Sequence, residues 1–500
     1  MTVISRVVLV TLLLPALLAA QGAGAPSAAA NAPRVGPASG TVIVVGGGRM
    51  GPEIYDRFIQ AAGGPDALIL DVPNAGGAAS YDDNAAGARA FRDAGARNVH
   101  VLFTTDRAVA NSDSIVALID RASGIWFDGG RQFRLVDDYA GTRTEKAFND
   151  LLARGGVIGG SSAGATILGD FLVRGAPSGD NSIMDHPGYR KGFAYLHGVA
   201  IDQHVVARDR LPDLADSIMT RYPDLLGISV DEGTAWVVQG DTAVIIGRNK
   251  AFVYGGRDAN DPGVPFLTLH PGDRYDLAER RVTHRAIDDS PLTMEFVDGL
   301  FADYTNPSSG GATVLVAEGG SVLVDRSYGV PQQPRYAPTT TSPQWALGEL
   351  SGVFASLCAQ LPETPVGSAG GARPGQQGSA PTTAFQRCVA RQLSPPIGMH
   401  RTTADARGQV SSNVDELYRL ALGLQNPRTW PGVDVTQGWT TEKHGDVSWL
   451  TAYGTADGRR AAFVRIPDRQ AVVIVLTNDD LADARGIAER IAGRLVAGRS

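Results

Sequence analysis

At 500 residues, with 45 Lys plus Arg against 52 Asp plus Glu and a formal net charge of −7, the chain exceeds what one hydrophobic core usually organises. Two folded units are expected, each large enough to bury its own core. No Lys/Arg run stands out that could neutralise a phosphate backbone, which argues against nucleic acid as a partner.

Residues 1–33 read as a signal peptide and flexible lead. Arg6 supplies the leading charge, Val7 to about Ala20 is apolar, and small residues follow. The apolar run is short for a membrane span and Pro15 interrupts it, so the expectation is a secreted or periplasmic protein without stable membrane insertion. From Thr41 to about Val238, short β-branched runs alternate with longer helical stretches, the pattern of a parallel sheet covered by helices. Strands are predicted in TVIVVGGG (41–48), ALILDVP (67–73), VHVLFTT (99–105), GIWFDGG (124–130) and GVIGGSS (156–162). Their glycine-rich ends should converge on one crevice at the carboxyl edge of the sheet.

After Asp241 the strands shorten (TAVIIGR, KAFVYGG), and the first unit is expected to span 40–290. A second unit over 294–498 should place strands TVLVAEGG, SVLVDRSYG, RRAAFVRIP and QAVVIVLTN around helices at 346–360 and 412–424. Cys358 and Cys388 are the only cysteines. Paired, they would close a loop of about thirty residues and stabilise the fold by up to ~3 kcal/mol; two free buried thiols are the alternative. Without nearby His partners they cannot complete a tetrahedral metal site, and no cofactor is expected. The Pro/Gly/Ser-rich stretch between them reads as a surface loop.

Ser162 stands at a corner where a strand runs into the helical sequence Ala163–Leu168, laid out as a nucleophile elbow, although the motif is GGSSAGA and not G-x-S-x-G. A serine hydroxyl is too weakly acidic to attack a carbonyl unaided, and His204, closing the apolar run GVAIDQH, is the candidate to accept its proton. The backbone N–H groups of Ala163 and of the Gly129–Gly130 turn, Gly130 above all, are candidates for an oxyanion hole.

Five blocks, VVGGG at 44–48, GGRQ at 129–132, GGSSAGA at 159–165, DQHVVARDR at 202–210 and GISVDEGTA at 227–235, resemble cyanophycinases and the wider serine peptidase family that includes aspartyl dipeptidase. The resemblance covers about residues 40–250. It implies an α/β fold of the class I glutamine-amidotransferase-like, flavodoxin-like kind, with a parallel sheet and helices on both faces, and a Ser–His–acid triad. Ser162 is then the nucleophile and His204 the base, while Gln132, Asp202, Gln203, Arg208 and Arg210 line the substrate pocket. The acid stays open among Asp180, which lies where the family places its carboxylate, Glu232 inside DEGTA, and Asp185. Asp213 replaces a further family arginine, so the resemblance speaks to reaction type more than to substrate. The implied function is hydrolysis of peptide or isopeptide bonds next to Asp residues, cyanophycin or β-aspartyl peptides included. The alternatives are a peptide- or polymer-binding protein that retains the fold without catalysis, or an amidase or esterase of other specificity. The sequence leaves open whether the protein is a monomer or a homodimer.

Residues 294–498 resemble, more weakly, serine β-lactamases and the related penicillin-binding and D-aminopeptidase-like proteins, implying a C-terminal α+β β-lactamase-like remnant. The positions matching Ser-x-x-Lys carry Glu349 and Gly352, so this unit is expected to be non-catalytic. His444-Gly445 lies where a KTG-like strand would be expected.

Overall fold

Alternate residues of the first five strands are buried on opposite faces of one sheet. In the computed structural model, which describes residues 35–497 apart from 257, 259–263, 303–310, 330–343, 363–382, 457 and 479–482, these strands are β1 (Thr41–Val45), β2 (Ile69–Val72), β3 (Val99–Val101), β4 (Gly124–Phe127) and β5 (Val157–Ser161). The signal-peptide reading and most of the Pro/Gly/Ser loop lie outside the described residues. Val42, Val44, Leu70, Val72, Phe127 and Ile158 pack on one face with Phe148 and Leu151 of helix Arg143–Ala153. Ile43, Val45, Ile69 and Trp126 pack on the other with Ile54 and Phe58 of helix Pro52–Ala61. Burial on both faces is why the strands are nearly continuous apolar runs, and each buried Val, Ile, Leu or Phe contributes about 1.5–3 kcal/mol.

The five strands are parallel in the order β3-β2-β4-β5-β1. Strands Thr234–Gln239, Thr242–Gly247, Arg274–Asp276 and Arg281–His284 extend the β1 edge antiparallel, completing nine strands. A separate five-stranded sheet carries Leu196–Gln203 and Leu226–Val230 as parallel neighbours. The five strands expected to be parallel thus lie together inside a larger mixed sheet, and the second sheet supplies half of the site described below.

In the C-terminal half, six antiparallel strands run in the order Ser321–Tyr328, Ala312–Glu318, Ala471–Thr477, Arg459–Ile466, Val447–Ala456 and Thr440–His444. One face, through Leu315, Ile474 and Phe463, packs on helices Ser351–Gln360 and Val414–Gln425. The other, through Val314, Val473 and Val475, packs on helix Ala484–Ala497. Cys358 and Cys388 form a disulfide with Cα atoms 5.9 Å apart. The described residues of both halves form one compact unit, joined in part by buried Lys250, whose Nζ lies 2.5 Å from Asp325 and 3.2 Å from Asp415.

Two carboxyls, of Asp71 and Asp128, meet over Gly87. A Cβ on Gly87 would stand 2.4 Å from Asp128 Oδ1 and 2.6 Å from Asp71 Oδ1. Asp71 Oδ1 is buried without a hydrogen-bond partner, while Trp126 Nε1 donates to Asp128 Oδ1 at 3.1 Å. Burial, outweighing the bonds from Trp126 and Gly87, pushes Asp128 up to about 6; burial and then the Asp128 charge raise Asp71 well above the usual carboxylate range. A carboxyl raised on folding holds its proton more tightly in the native state. Its stabilisation is therefore complete below about pH 4, its value in the unfolded chain, and is lost as pH rises through the folded value. Melting temperature should fall for this reason between about pH 4 and 6, and Asp128→Asn should flatten that slope. Thermal unfolding across the interval checks it; an unchanged slope in the variant contradicts the assignment.

Candidate active site

The order of strands in the large sheet decides what stands beside Ser162. β5 lies between β1 and β4, so the turn after β1 (Gly46–Gly48) and the turn after β4 (Asp128–Gly130) flank the residue that follows β5. Ser162 has φ 58° and ψ −115°, a left-handed backbone that L side chains adopt only when their surroundings enforce it. Its N–H donates to Val45 O at 3.0 Å, and helix Ala163–Thr166 begins directly after it, with Ala165 and Thr166 N–H donating to Ser162 O. A Cβ on Gly129 would come within 3.2 Å of Ser162 Cβ, which places the Gly129–Gly130 turn against the serine.

The second sheet delivers the other two groups. Gln203 pairs in register with Val230, so the parallel strands Leu196–Gln203 and Leu226–Val230 end together, and the residues just beyond them, His204 and Glu232, come side by side. The turn after Val230 is tied to the turn after β1: Gly46 N–H donates to Thr234 O at 3.1 Å, Gly233 N–H to Gly47 O at 2.9 Å, and His204 N–H to Gly46 O at 3.0 Å. Glycine is required at 47 and 48 by approach. A Cβ on Gly47 would lie 2.2 Å from the His204 ring, and one on Gly48 would lie 2.4 Å from Glu232 Oε2.

The result is an unbroken line of side chains. His204 Nε2 is 2.8 Å from Ser162 Oγ, and His204 Nδ1 is 2.6 Å from Glu232 Oε1. Burial pushes the Glu232 carboxyl up, but the hydrogen bonds and charge of His204 and His400 outweigh it and hold Glu232 well below the usual carboxylate range. An ionised carboxylate on Nδ1 fixes the ring so that Nε2 can accept a proton, and the hydroxyl on Nε2 is placed to give one.

Asp180, one of the three acids the sequence offers, takes no part in this line. It is exposed, and its Oδ1 accepts from the Ser182 N–H at 2.8 Å and hydroxyl at 2.7 Å, a local turn of the kind Asp forms readily. Asp185 is held by Arg190 at 2.6 Å, Tyr222 Oη at 3.0 Å and Arg221 at 3.3 Å. Asp202, expected to line the pocket, sits in a buried ion pair. It is fully buried, and both its oxygens accept from Arg174, Nε and Nη2 each at 2.8 Å. Asp213 takes Arg174 Nη2 at 2.6 Å, so the residue that departs from the family pattern closes this buried ion cluster. The buried Gln132 donates to Val173 O at 2.8 Å. Gln203 Oε1 and Arg210 Nη1 are buried without hydrogen-bond partners; burial, then neighbouring Arg174, lowers Arg210 to about 10. Arg208 is exposed. Arg174 and His400, 3.5 Å from Glu232 Oε2, were not foreseen; nothing in their local sequence sets them apart.

In the C-terminal half Glu349, at the position matched to a nucleophilic serine, accepts from Thr455 N–H at 2.7 Å, and Gly352 offers no amine. His444 stacks on Trp449 with ring centroids 3.5 Å apart. Incubation of the full chain with penicillin is expected to leave this half without a covalent adduct in intact-mass spectra; a stoichiometric adduct there would contradict it.

Residues 42–246 match peptidase family S51. The cyanophycinase of Synechococcus elongatus is 32% identical over 270 residues, which cover 50% of this chain and 82% of that protein. The chain belongs to this peptidase family. It is a serine-type peptidase hydrolase that acts on peptide or isopeptide bonds. Among solved structures, a peptidase from an acI-B1 actinobacterium is similar at 23% identity and a TM-score of 0.38, covering 48% of this chain and 97% of that one. A class C β-lactamase is similar at 12% identity and a TM-score of 0.29, covering 41% of this chain and 96% of that one. The family match over residues 42–246 falls on the half of the chain built around the nine-stranded sheet. No helix among the described residues is long and apolar enough to cross a membrane.

Proposed function

We propose that the protein is an exported peptidase that cuts next to acidic residues, β-aspartyl links included, with Ser162, His204 and Glu232 as its triad. The observation that carries this reading is the continuous line from Ser162 Oγ through His204 to Glu232. Ser162 Oγ attacks the scissile carbonyl while His204 Nε2 takes its proton, and Glu232 stabilises the imidazolium that results. The N–H groups of Ala163 and Gly130 receive the oxyanion. His204 then gives its proton to the departing amine, leaving an acyl-Ser162. Water, deprotonated by His204, attacks the acyl group, and the acid product leaves as Oγ regains a proton. Export is supported by the leader-like first 33 residues and by the Cys358–Cys388 disulfide, a bond favoured outside the reducing cytosol.

Recognition of an acidic residue is supported by Arg210. A buried guanidinium nitrogen without an acceptor costs roughly 1–3 kcal/mol, and a substrate carboxylate relieves that cost. Asp-Xaa and β-Asp-Arg dipeptides should be hydrolysed faster than matched Asn and Leu analogues. Arg210→Ala should raise KM for the acidic members by about tenfold or more while leaving the neutral ones nearly unchanged. Steady-state kinetics on both series test this, and preference for the neutral analogues in the wild type would overturn it.

A further inference from the structure

The far side of Glu232 is built by the C-terminal half. His400 Nε2 stands 3.5 Å from Glu232 Oε2, the oxygen His204 does not use. The His400 backbone is itself fixed, because Glu416 Oε1 accepts its N–H at 2.6 Å and that of Arg401 at 2.7 Å. Glu416 is buried in the first turn of helix Val414–Gln425, and Thr402 hydroxyl donates to its other oxygen. A second route reaches the Glu232 backbone. Asn249 Nδ2 donates to Glu232 O at 2.6 Å, and Asn249 Oδ1 accepts from Arg419, Nε at 3.1 Å and Nη2 as well. Arg419 Nη1 donates to Gly398 O at 2.6 Å, so the same arginine ties down the turn that carries His400.

A carboxylate held at one oxygen can turn about its terminal bond, and the imidazole it orients turns with it. A donor on the second oxygen fixes the carboxylate plane, and through it the direction of His204 Nε2 toward Ser162. We infer that His400 is a positioning residue for Glu232, so that the C-terminal half, in which Glu349 and Gly352 stand at the positions matched to Ser-x-x-Lys, completes the triad's support. This rests on the triad reading above. Both histidines contribute to holding Glu232 below its ordinary range, as two charge-assisted contacts on one carboxylate should.

The test uses the full chain and a fluorophosphonate probe, with saturation kinetics separating the maximal labelling rate from the half-saturating concentration. His400→Ala should lower the maximal rate by about tenfold or more with the half-saturating concentration unchanged. His400→Gln, whose amide nitrogen reaches the position of Nε2, should return to within about threefold of wild type. His400→Phe keeps the ring volume without a donor and should be as slow as the alanine variant, which preserves the test if His400→Ala does not fold. Wild-type rates in the alanine or phenylalanine variant, or a glutamine variant as slow as either, would overturn the inference. Ser162→Ala run alongside separates the two readings: labelling that persists in it sinks the triad itself, whereas labelling confined to Ser162 leaves the triad standing whatever His400 shows.

Discussion

Ser162→Ala and His204→Ala are each expected to lower turnover by about 10⁴-fold or more, with melting temperature little changed. The size follows from cooperation: the proton on Ser162 Oγ has one acceptor at 2.8 Å, and removing either member of such a pair removes the concerted step. Little stability is at stake in the serine, because its backbone contacts to Val45, Ala165 and Thr166 survive the loss of a hydroxyl. Ser161→Ala should be mild by comparison, since Ser161 precedes the turn and the left-handed corner belongs to Ser162. Activity of Ser162→Ala within tenfold of wild type would contradict the assignment.

Glu232→Gln is expected to lower kcat by about 10³–10⁴-fold, while Asp180→Asn stays within a few-fold of wild type. A glutamine can present its N–H₂ to His204 Nδ1, which reverses the ring's tautomer and leaves Nε2 carrying a proton when it should accept one. Asp180 is bonded only within its own turn among the contacts observed, so its replacement should leave the His204 ring undisturbed. Parallel kinetics on the two variants check the pair. A slow Asp180→Asn beside a near-normal Glu232→Gln would return the acid to the 180s loop.

The sequence exposed the parts of the fold that depend on local pattern. The five parallel strands are short, largely apolar runs, β1 and β4 followed by glycine turns, and the corner at Ser162 is a Gly/Ser/Ala cluster in which a larger residue would collide with its neighbours. The histidine was legible for the same reason, as the residue that closes strand Leu196–Gln203. The acid needed one more step: Leu226–Val230 lies parallel and in register beside that strand, so two strand ends bring Glu232 to His204. Asp180 rested instead on where the related family places its carboxylate, and such a placement carries no register between these two strands. Asp202 comes into the pocket only through the family resemblance, and its burial against Arg174, which donates to both its oxygens, is a matter of packing that no local pattern announces. His400 and Arg419 could not be found from pattern at all, since their significance exists only once the two halves are packed together.

Intact-mass and peptide mass spectrometry of the full chain after fluorophosphonate treatment tests the identity of the nucleophile most directly. The expected result is one adduct per chain, located on Ser162, lost in Ser162→Ala and formed far more slowly in His204→Ala. An adduct on another residue, or equal labelling of Ser162→Ala, would contradict the central claim that Ser162 is the nucleophile.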